Sequence, residues 1–235
     1  RSASAPLSAA PTEPVPPAAP ALVLLAVLVL VWSTNLHNFM DGINGLLALQ
    51  GVWYGLVLAL LFGIDGSGGL ALFALLLAAA CLGFLPLNYP RARVFLGDGA
   101  AGFLGLAFAV LALAGIHAGT FDAPTMLVLA SAFLVDSGAT LVWRGLRGER
   151  IWQAHREHLY QRLVRAGHGH GAVSAWYMLW NLSIALPALY LLAQREPVPE
   201  RWMIAVLVLV LALSVWLLAR LRSDPDPAIA RGLRR

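Results

Sequence analysis

Three amides, one carboxylate and one imidazole lie at the end of an apolar run, in the segment Asn35–Gly45 (NLHNFMDGING). An ionised side chain at membrane depth costs about 2.5–3.5 kcal/mol on insertion scales, so such residues usually face protein or water and serve a function. Asn35, Asn38, Asp41 and Asn44 follow one another at a spacing of three, which in a helix would place them on one face. Amide and carboxylate oxygens suit Mg²⁺ and phosphate ligands better than a soft metal. The alternative explanation is a polar helix cap followed by glycine turns.

A second polar segment, Phe95–Gly105 (FLGDGAAGFLG), places a single carboxylate, Asp98, between two glycines just before another apolar run. A lone acidic residue in that position has no partner of opposite charge in its own segment. We therefore expect Asp98 to form the other half of one site with the segment that contains Asp41.

A third segment, Arg144–Gly171, is the longest predicted loop and the most basic. His155 and His158 are three residues apart with Arg156 between them, so a short amphipathic helix here would offer several donors to a diphosphate. A zinc site that adds His168 and His170 is an alternative, but no thiolate or carboxylate cluster supports it. These two histidines lie among glycines and are typical of a flexible turn. Attraction of the basic segment to anionic lipid headgroups is a further alternative, and it is compatible with substrate binding.

The composition is that of a multi-pass membrane protein. Hydrophobic residues make up 60% of the chain and charged residues 12%, whereas a soluble domain has about 25% charged residues. The single cysteine, Cys81, excludes a disulfide within the chain and a cysteine-based zinc set. The absence of lysine excludes Schiff-base chemistry. A sequence pI near 9.8 requires no nucleic-acid partner, because arginines beside membrane spans account for it.

Seven apolar runs predict seven membrane-spanning helices, since each is continuously apolar rather than alternating and a helix satisfies its own backbone hydrogen bonds. The fold class predicted is an all-α integral membrane protein of about seven transmembrane helices with cytoplasmic active-site loops. Residues 1–20 form a Pro/Ala-rich lead-in, residues 21–221 the polytopic domain and residues 222–235 a basic cytoplasmic tail. The predicted spans are residues 21–34, 46–62, 70–87, 101–116, 125–143, 172–192 and 202–221.

The arginines predict the orientation of these spans. All of them except Arg1, Arg195 and Arg201 fall on the side of the three polar segments. Because positive charge is retained in the cytoplasm, the polar segments should face the cytoplasm and the N-terminus the outside.

Three motifs together resemble the polyprenyl-phosphate N-acetylhexosamine-1-phosphate transferases of glycosyltransferase family 4. They are Asn35–Leu46 (NLHNFMDGINGL), Phe95–Gly105 and His155–Gln161 (HREHLYQ). Members are enzymes of the bacterial inner membrane that use Mg²⁺ to transfer a sugar phosphate from a UDP-sugar to undecaprenyl phosphate, which releases UMP, in cell-envelope polysaccharide synthesis. The resemblance covers residues 21–221. The sequence around Gly148–Gln161 is closer to the branch that initiates O-antigen-type lipopolysaccharide than to the peptidoglycan branch.

The resemblance implies a role for each motif residue. Many members carry Asp where this chain has Asn44, but an amide carbonyl still accepts a hydrogen bond from the uracil N3–H. The implied partners are a UDP-sugar, undecaprenyl phosphate, the lipid bilayer and, in a homodimer, a second copy of the chain. The implied residues are Asp98 and Asp41 for catalysis, Asp98 and Asn38 for Mg²⁺, and Asn35, Asn44, His155, Arg156 and His158 for substrate binding.

Family members also carry an adjacent pair of aspartates upstream of the first motif, to which the resemblance assigns deprotonation or positioning of the lipid phosphate. Before Asn35 this sequence has only one acidic residue, Glu13. The resemblance therefore predicts an N-terminally truncated member that is a poor catalyst by itself. An inactive fragment of the transferase is one alternative function. A membrane transporter is another, but it predicts polar groups at the bilayer midplane and an internal repeat, and the sequence has neither.

Three other acidic residues are assigned less specific roles. Asp136 falls inside an apolar run, where it either lines the cavity of the active site or bonds a neighbouring helix. Asp65 and Asp122 fall in loops on the opposite side from the motifs, and we expect them to be solvated turn residues.

Overall fold

The computed structural model describes residues 19–153, 155–194 and 197–223, and throughout these ranges the regular structure is helical. The predicted tail beyond residue 223, and the lead-in up to residue 18, lie outside the described residues. The helices are α1 (Ala19–Phe39), α2 (Leu46–Ile64), α3 (Gly68–Asn88), α4 (Gly97–Ala118), α5 (Ala123–Leu129), α6 (Ser131–Leu146), α7 (Leu159–Arg165), α8 (His170–Trp180), α9 (Leu186–Ala193) and α10 (Val198–Arg222). A π-helical turn, Asn181–Ala185, joins α8 to α9.

Small residues allow the long helices to pack closely, which is how helices associate in a bilayer. A β-carbon added at Gly55 would come within 2.7 Å of the Ala74 carbonyl oxygen, so α2 and α3 touch through their backbones. At the contact of α1 with α4, the Ser33 hydroxyl donates to the Gly105 carbonyl at 2.8 Å. Large aliphatic side chains cover the outside, as expected for a surface in contact with lipid.

The loops lie on two opposite faces of the bundle. On the motif face, formed by residues 40–45, 89–96 and 147–158, the Gly45 amide donates to the Asn88 side chain at 2.7 Å. On the far face, formed by residues 65–67 and 119–122, the Thr120 hydroxyl donates to Asp65 at 2.8 Å. Each long helix connects one face with the other.

The predicted straight span 125–143 is instead two helices, α5 and α6, that meet at 81°. No proline or glycine lies at the break between α5 and α6, and side chains from other helices bond the residues on either side of it. The Trp53 indole donates to the Leu129 carbonyl at 3.2 Å, and the Trp180 indole donates to the Ser131 hydroxyl at 2.9 Å. The pair still runs from the far face to the motif face. Six other helical segments are long and apolar enough to span a membrane: α1, α2, α3, α4, the continuous α8–α9 segment and α10. With the bent pair counted as one span, the described residues give the seven crossings predicted.

Asp122 is not the solvated turn residue that its sequence position predicts. It caps α5 by accepting from the Thr125 backbone at 3.1 Å, and it accepts from the Arg201 guanidinium of α10 at 2.8 Å. Burial opposes ionisation of this carboxyl, but the hydrogen bonds from Arg201 and Thr125 outweigh it and lower its pKa to about 2. Asp122 therefore ties α5 to α10 on the far face.

Candidate active site

Two carboxylates from different polar segments meet on the motif face. Helix α1 ends at Phe39, and Asp41 lies half-buried in the turn that follows. Asp98 is exposed in the first turn of α4, directly after Gly97, whose φ of 72° lets the chain enter that helix. Burial, and next the negative charge of Asp98, raise the pKa of Asp41 to about 7, while a hydrogen bond with the Gly97 backbone acts in the opposite direction. The structure thus brings the first two polar segments into one place.

The two asparagines of α1 lie next to this turn. Asn35 and Asn38 are both exposed on the last turns of the helix, and the Asn35 amide donates to the Val31 carbonyl at 2.9 Å. Because the helix ends at Phe39, only these two share the helical face that the spacing predicts. Asp41 and Asn44 are positioned by the turn instead.

The donor set fits Mg²⁺ better than zinc. Among the described residues, no group of three or more His, Cys, Asp or Glu side chains is placed to hold a metal. Mg²⁺ does not require such a group, because it is commonly held by one or two carboxylates together with substrate phosphates and water. Two neighbouring carboxylates whose charges repel each other, beside exposed amides, suit that mode of binding. The described part of the chain likewise does not bring His155, His158, His168 and His170 together into a zinc site. The His168 ring instead lies 4.9 Å from the Trp176 ring, and His170 accepts a hydrogen bond from the first motif.

The histidine motif packs directly against the first motif. The rings of His155 and His158 are 4.8 Å apart, and buried His158 stacks on Phe39 at 5.8 Å. Burial lowers the pKa of His155 to about 4. Burial also lowers the pKa of His158, although the negative charge of Asp136 opposes this shift. Both imidazoles are therefore neutral at pH 7, so each offers one donor and one acceptor rather than a positive charge.

Tyr160 connects the histidine motif to the turn that carries Asp41. Its hydroxyl donates to the Phe39 carbonyl at 2.8 Å. A β-carbon at Gly42 would overlap that hydroxyl, so the close approach requires glycine. Burial, followed by the charges of Asp136 and Asp41, raises the pKa of the phenol. The sequence offered one signal for this contact, the glycine directly after Asp41.

Arginines hold the loop that carries the histidine motif in place. The sequence analysis used these arginines only to predict the orientation of the spans. Arg144 is buried and pairs with Glu157 at 2.7 Å and with Glu149 at 2.8 Å. Arg220 donates to the Glu157 carbonyl at 3.0 Å, and its guanidinium lies 5.2 Å from the Trp216 ring. Arg156, by contrast, is exposed at the surface of the loop.

Asn44 is fixed by three contacts. Its side-chain N–H donates to the Pro90 carbonyl at 3.2 Å, its backbone N–H donates to the His170 imidazole at 3.3 Å, and its carbonyl accepts from Ser174 at 3.1 Å. These contacts leave the side-chain oxygen without a hydrogen bond from the described residues. The prediction that His170 belongs to a flexible turn is wrong, because this residue begins α8 and anchors the first motif.

An apolar cavity of about 470 Å³ lies between α1, α2, α4 and the bent pair. It begins beside the last turns of α1, next to the site, and extends toward the far face at Ile116. Its few polar lining residues are Ser33, His37 and Tyr54. Such a cavity can hold a flexible hydrocarbon chain close to the motif face.

One family profile and several curated proteins match this chain. The profile of the family "Glycosyl transferase family 4" matches residues 6–116. The decaprenyl-phosphate N-acetylglucosaminephosphotransferase of Mycolicibacterium smegmatis is 31% identical over 88% of this chain and 55% of its own length. The phospho-N-acetylmuramoyl-pentapeptide-transferase of Moorella thermoacetica is 34% identical over 72% of this chain and 52% of its own length. The chain thus spans about half the length of the curated relatives it matches.

Proposed function

We infer the function of this chain from its family and its site: it belongs to glycosyl transferase family 4, and we propose that it transfers a sugar 1-phosphate from a UDP-sugar to a polyprenyl phosphate. The observation that carries this proposal is the meeting of Asp41 and Asp98 on the motif face, where burial, and next the negative charge of Asp98, raise the pKa of Asp41 to about 7. An uncompensated pair of this kind attracts a divalent cation and, with it, a diphosphate.

Phosphoryl transfer requires mainly positioning and neutralisation of the charge on the phosphoryl oxygens. We propose that Asp98 and Asn38 hold Mg²⁺, which would supply that neutralisation when bound. Asp41, half-buried beside Asp98, would orient the phosphates. Asn35 would border the nucleotide pocket from the preceding turn of α1. No further metal ligand is required from the chain, since substrate oxygens complete the coordination.

The remaining contacts would recognise the donor. The side-chain oxygen of Asn44 accepts no hydrogen bond from the described residues, so it would accept from the uracil N3–H. The neutral imidazoles of His155 and His158 would donate to the diphosphate, and their pKa would rise as that anion approaches. Arg156 is exposed and would add a positive charge at the entrance.

The acceptor would reach the site through the bilayer. The apolar cavity between α1, α4 and the bent pair would hold the first isoprene units of undecaprenyl phosphate, with the phosphate at the motif face. The branch that initiates O-antigen-type polysaccharides, the identity of the sugar and a homodimer remain predictions of the resemblance.

A transfer assay tests the proposal. The chain, reconstituted in lipid with a UDP-N-acetylhexosamine and undecaprenyl phosphate, should release UMP only when Mg²⁺ is present. The chain spans about half of its relatives, so the same assay is run with and without the N-terminal half of a relative. Direct titration of UDP-sugar in the presence of Mg²⁺ provides a measure that does not depend on turnover. The proposed function would be excluded if the chain did not bind the UDP-sugar and also released no UMP, either alone or with the N-terminal half of the relative.

The cytoplasmic orientation has its own test. The arginines predict that the motif face lies in the cytoplasm. Single cysteines at Ser67, on the far face, and at exposed Gln153, on the motif face, should react with an impermeant reagent from opposite sides in a Cys81→Ala background. Labelling of both from one side would contradict the seven crossings, and labelling of Gln153→Cys from outside would invert the proposed orientation.

A further inference from the structure

Asp136 is a buried carboxylate in α6, only 2% exposed, and it is the centre of a hydrogen-bond network. One oxygen accepts from the Leu159 backbone at 2.6 Å and from the Trp216 indole at 3.2 Å. The other oxygen accepts from the Tyr177 hydroxyl at 2.6 Å and from the Tyr160 backbone at 3.3 Å. The Thr140 hydroxyl, on α6 itself, also donates to the first of these oxygens at 3.4 Å. All five partners are donors, so both oxygens of Asp136 act as acceptors.

Two of these donors are the first backbone N–H groups of α7. A helix leaves its first N–H groups without partners inside the helix, and the side chain at the start of a helix usually satisfies one of them. The residue at that position is His158, whose own N–H is bonded to Gln161 at 3.3 Å. Asp136, on α6, thus accepts from the first two N–H groups of α7. These two hydrogen bonds fix the start of α7 relative to α6.

The residues fixed in this way are those that reach the site. His158, directly before the two bonded amides, stacks on Phe39, and Tyr160 carries the second of those amides and bonds the Phe39 carbonyl. From these contacts we propose that Asp136 is a positioning residue: through the first turn of α7 it holds His158 and Tyr160 against the turn that carries Asp41. The proposal rests on the proposed function where it concerns transfer, but the positioning itself can be measured without turnover.

The surroundings of Asp136 make the carboxylate difficult to replace. It borders a second cavity, of about 310 Å³, whose other lining residues are mostly apolar. An alanine at position 136 would leave two helix-end N–H groups and the Tyr177 hydroxyl without their acceptor beside an apolar space. Buried donors that lose their acceptor are costly, so we expect α7 to loosen rather than to find a new partner.

Asparagine at position 136 provides a graded variant. Its carbonyl oxygen can replace the oxygen that accepts from Leu159 and Trp216. Its NH₂ group would then face the Tyr160 N–H, which is also a donor, whereas the Tyr177 hydroxyl can turn to accept. The Asp136→Asn variant should therefore keep about half of the network.

Hydrogen exchange measured by mass spectrometry tests the positioning, and Asp122 provides the matched control. Asp122 also caps a helix and joins it to another, but it does so on the far face. In Asp136→Ala, peptides that cover residues 158–165 should exchange faster by about tenfold or more, with Asp136→Asn in between, because protection reports local opening. In Asp122→Ala, exchange should instead increase in α5 and stay unchanged in α7. Equal protection of α7 in Asp136→Ala and the parent would overturn the proposal.

Kinetics separate positioning from simple destabilisation. Among variants that lower the melting temperature equally, Asp136→Ala should lose about tenfold or more in kcat/KM for the UDP-sugar, Asp136→Asn less, and Asp122→Ala less than about threefold. Equal losses in the two alanine variants would overturn the proposal, because they would trace the effect to general stability. If the parent chain releases no UMP in any format, the proposed function fails, and the exchange data alone decide whether Asp136 positions α7.

Discussion

Asp122 and Asp41 occupy opposite faces of the same bundle, and their surroundings shift their acidity in opposite directions. On the far face, Asp122 accepts hydrogen bonds from the Arg201 guanidinium and from Thr125, and its pKa falls to about 2. On the motif face, burial and the nearby negative charge of Asp98 raise the pKa of Asp41 to about 7. Desolvation raises the pKa of both carboxyls and is the largest cause in each, so the hydrogen bonds that Asp122 accepts from Arg201 and Thr125 decide the difference.

The difference indicates what each face does. The far face pairs its carboxylate with a cation of the chain, and the result is a fixed link between α5 and α10. The motif face leaves two carboxylates close together, although it also contains many arginines. Two of those arginines, Arg144 and Arg220, bind Glu157 and hold the loop that carries the histidine motif. Among the described residues, neither Asp41 nor Asp98 forms an ion pair with an arginine, and this is the basis for proposing that Mg²⁺ binds there.

The largest expected effect comes from removing one charge of that pair. Asp98→Asn should lower Mg²⁺-dependent UMP release by at least about a hundredfold, as expected when a group that stabilises the transition state is removed. Asp98 is exposed and contributes little to packing, so the melting temperature should stay close to that of the parent. Both quantities are measured on the same reconstituted samples.

Asp65→Asn is the matched control for Asp98→Asn, because Asp65 is an exposed carboxylate on the far face. That variant should keep full activity. If Asp98→Asn retained activity within about threefold of the parent at limiting Mg²⁺, the difference proposed between the two faces would not hold.

A steric change at Gly42 should have a smaller effect on the same face. A β-carbon there overlaps the Tyr160 hydroxyl, and overpacking of this kind typically costs about 1–3 kcal/mol. Gly42→Ala should break the Tyr160–Phe39 hydrogen bond, displace His158 and lower transfer by about tenfold. The affinity for the UDP-sugar, measured by titration, should fall with it.

Gly63→Ala controls for the loss of a glycine as such. No atom lies within 4 Å of a β-carbon at Gly63, in the last turn of α2 on the far face. Alanine at an open helical position is neutral or slightly stabilising. If both alanine variants behaved like the parent, the contact between Tyr160 and the first motif would have no role in the site.

The sequence was sufficient to predict the parts of the fold that depend on local pattern. Continuous apolar runs marked the helices, because a bilayer leaves few other structures available. The three polar segments were also correctly expected on one face, since alternate crossings place their loops together. The lone position of Asp98 between glycines indicated a partner in another segment, and the structure places Asp41 there.

What the sequence could not predict depends on side chains distant in the chain. At the bend between α5 and α6, Trp53 and Trp180 donate to Leu129 and Ser131, and neither tryptophan belongs to the bent segment. The link from Asp122 to Arg201 joins residues 79 positions apart. The role of Asp136 stayed open between cavity lining and helix bonding because all but one of its partners come from α7, α8 and α10. No local pattern encodes such contacts.

The smallest expected effect concerns the ion pair on the far face. Asparagine caps a helix about as well as aspartate, so Asp122→Asn keeps the cap of α5 and removes only the charge that binds Arg201. The Asp122 side chain is about 36% exposed, and pairs near the surface contribute about 0–1 kcal/mol. At pH 6 the variant should therefore melt only slightly below the parent, with unchanged transfer activity.

The pH dependence of that small difference provides the sharper measurement. The pKa of Asp122 is lowered from its ordinary value of 3.8 to about 2 in the folded chain. The stability that this carboxylate contributes is thus fully present above pH 3.8, and it is lost as the pH falls through about 2. Melting curves of the parent and of Asp122→Asn, recorded from pH 6 downward, should stay apart until about pH 4 and then converge. Curves that remained equally far apart at pH 2 would show that the asparagine acts through packing, and the opposite acidities of Asp122 and Asp41 would then not distinguish the two faces.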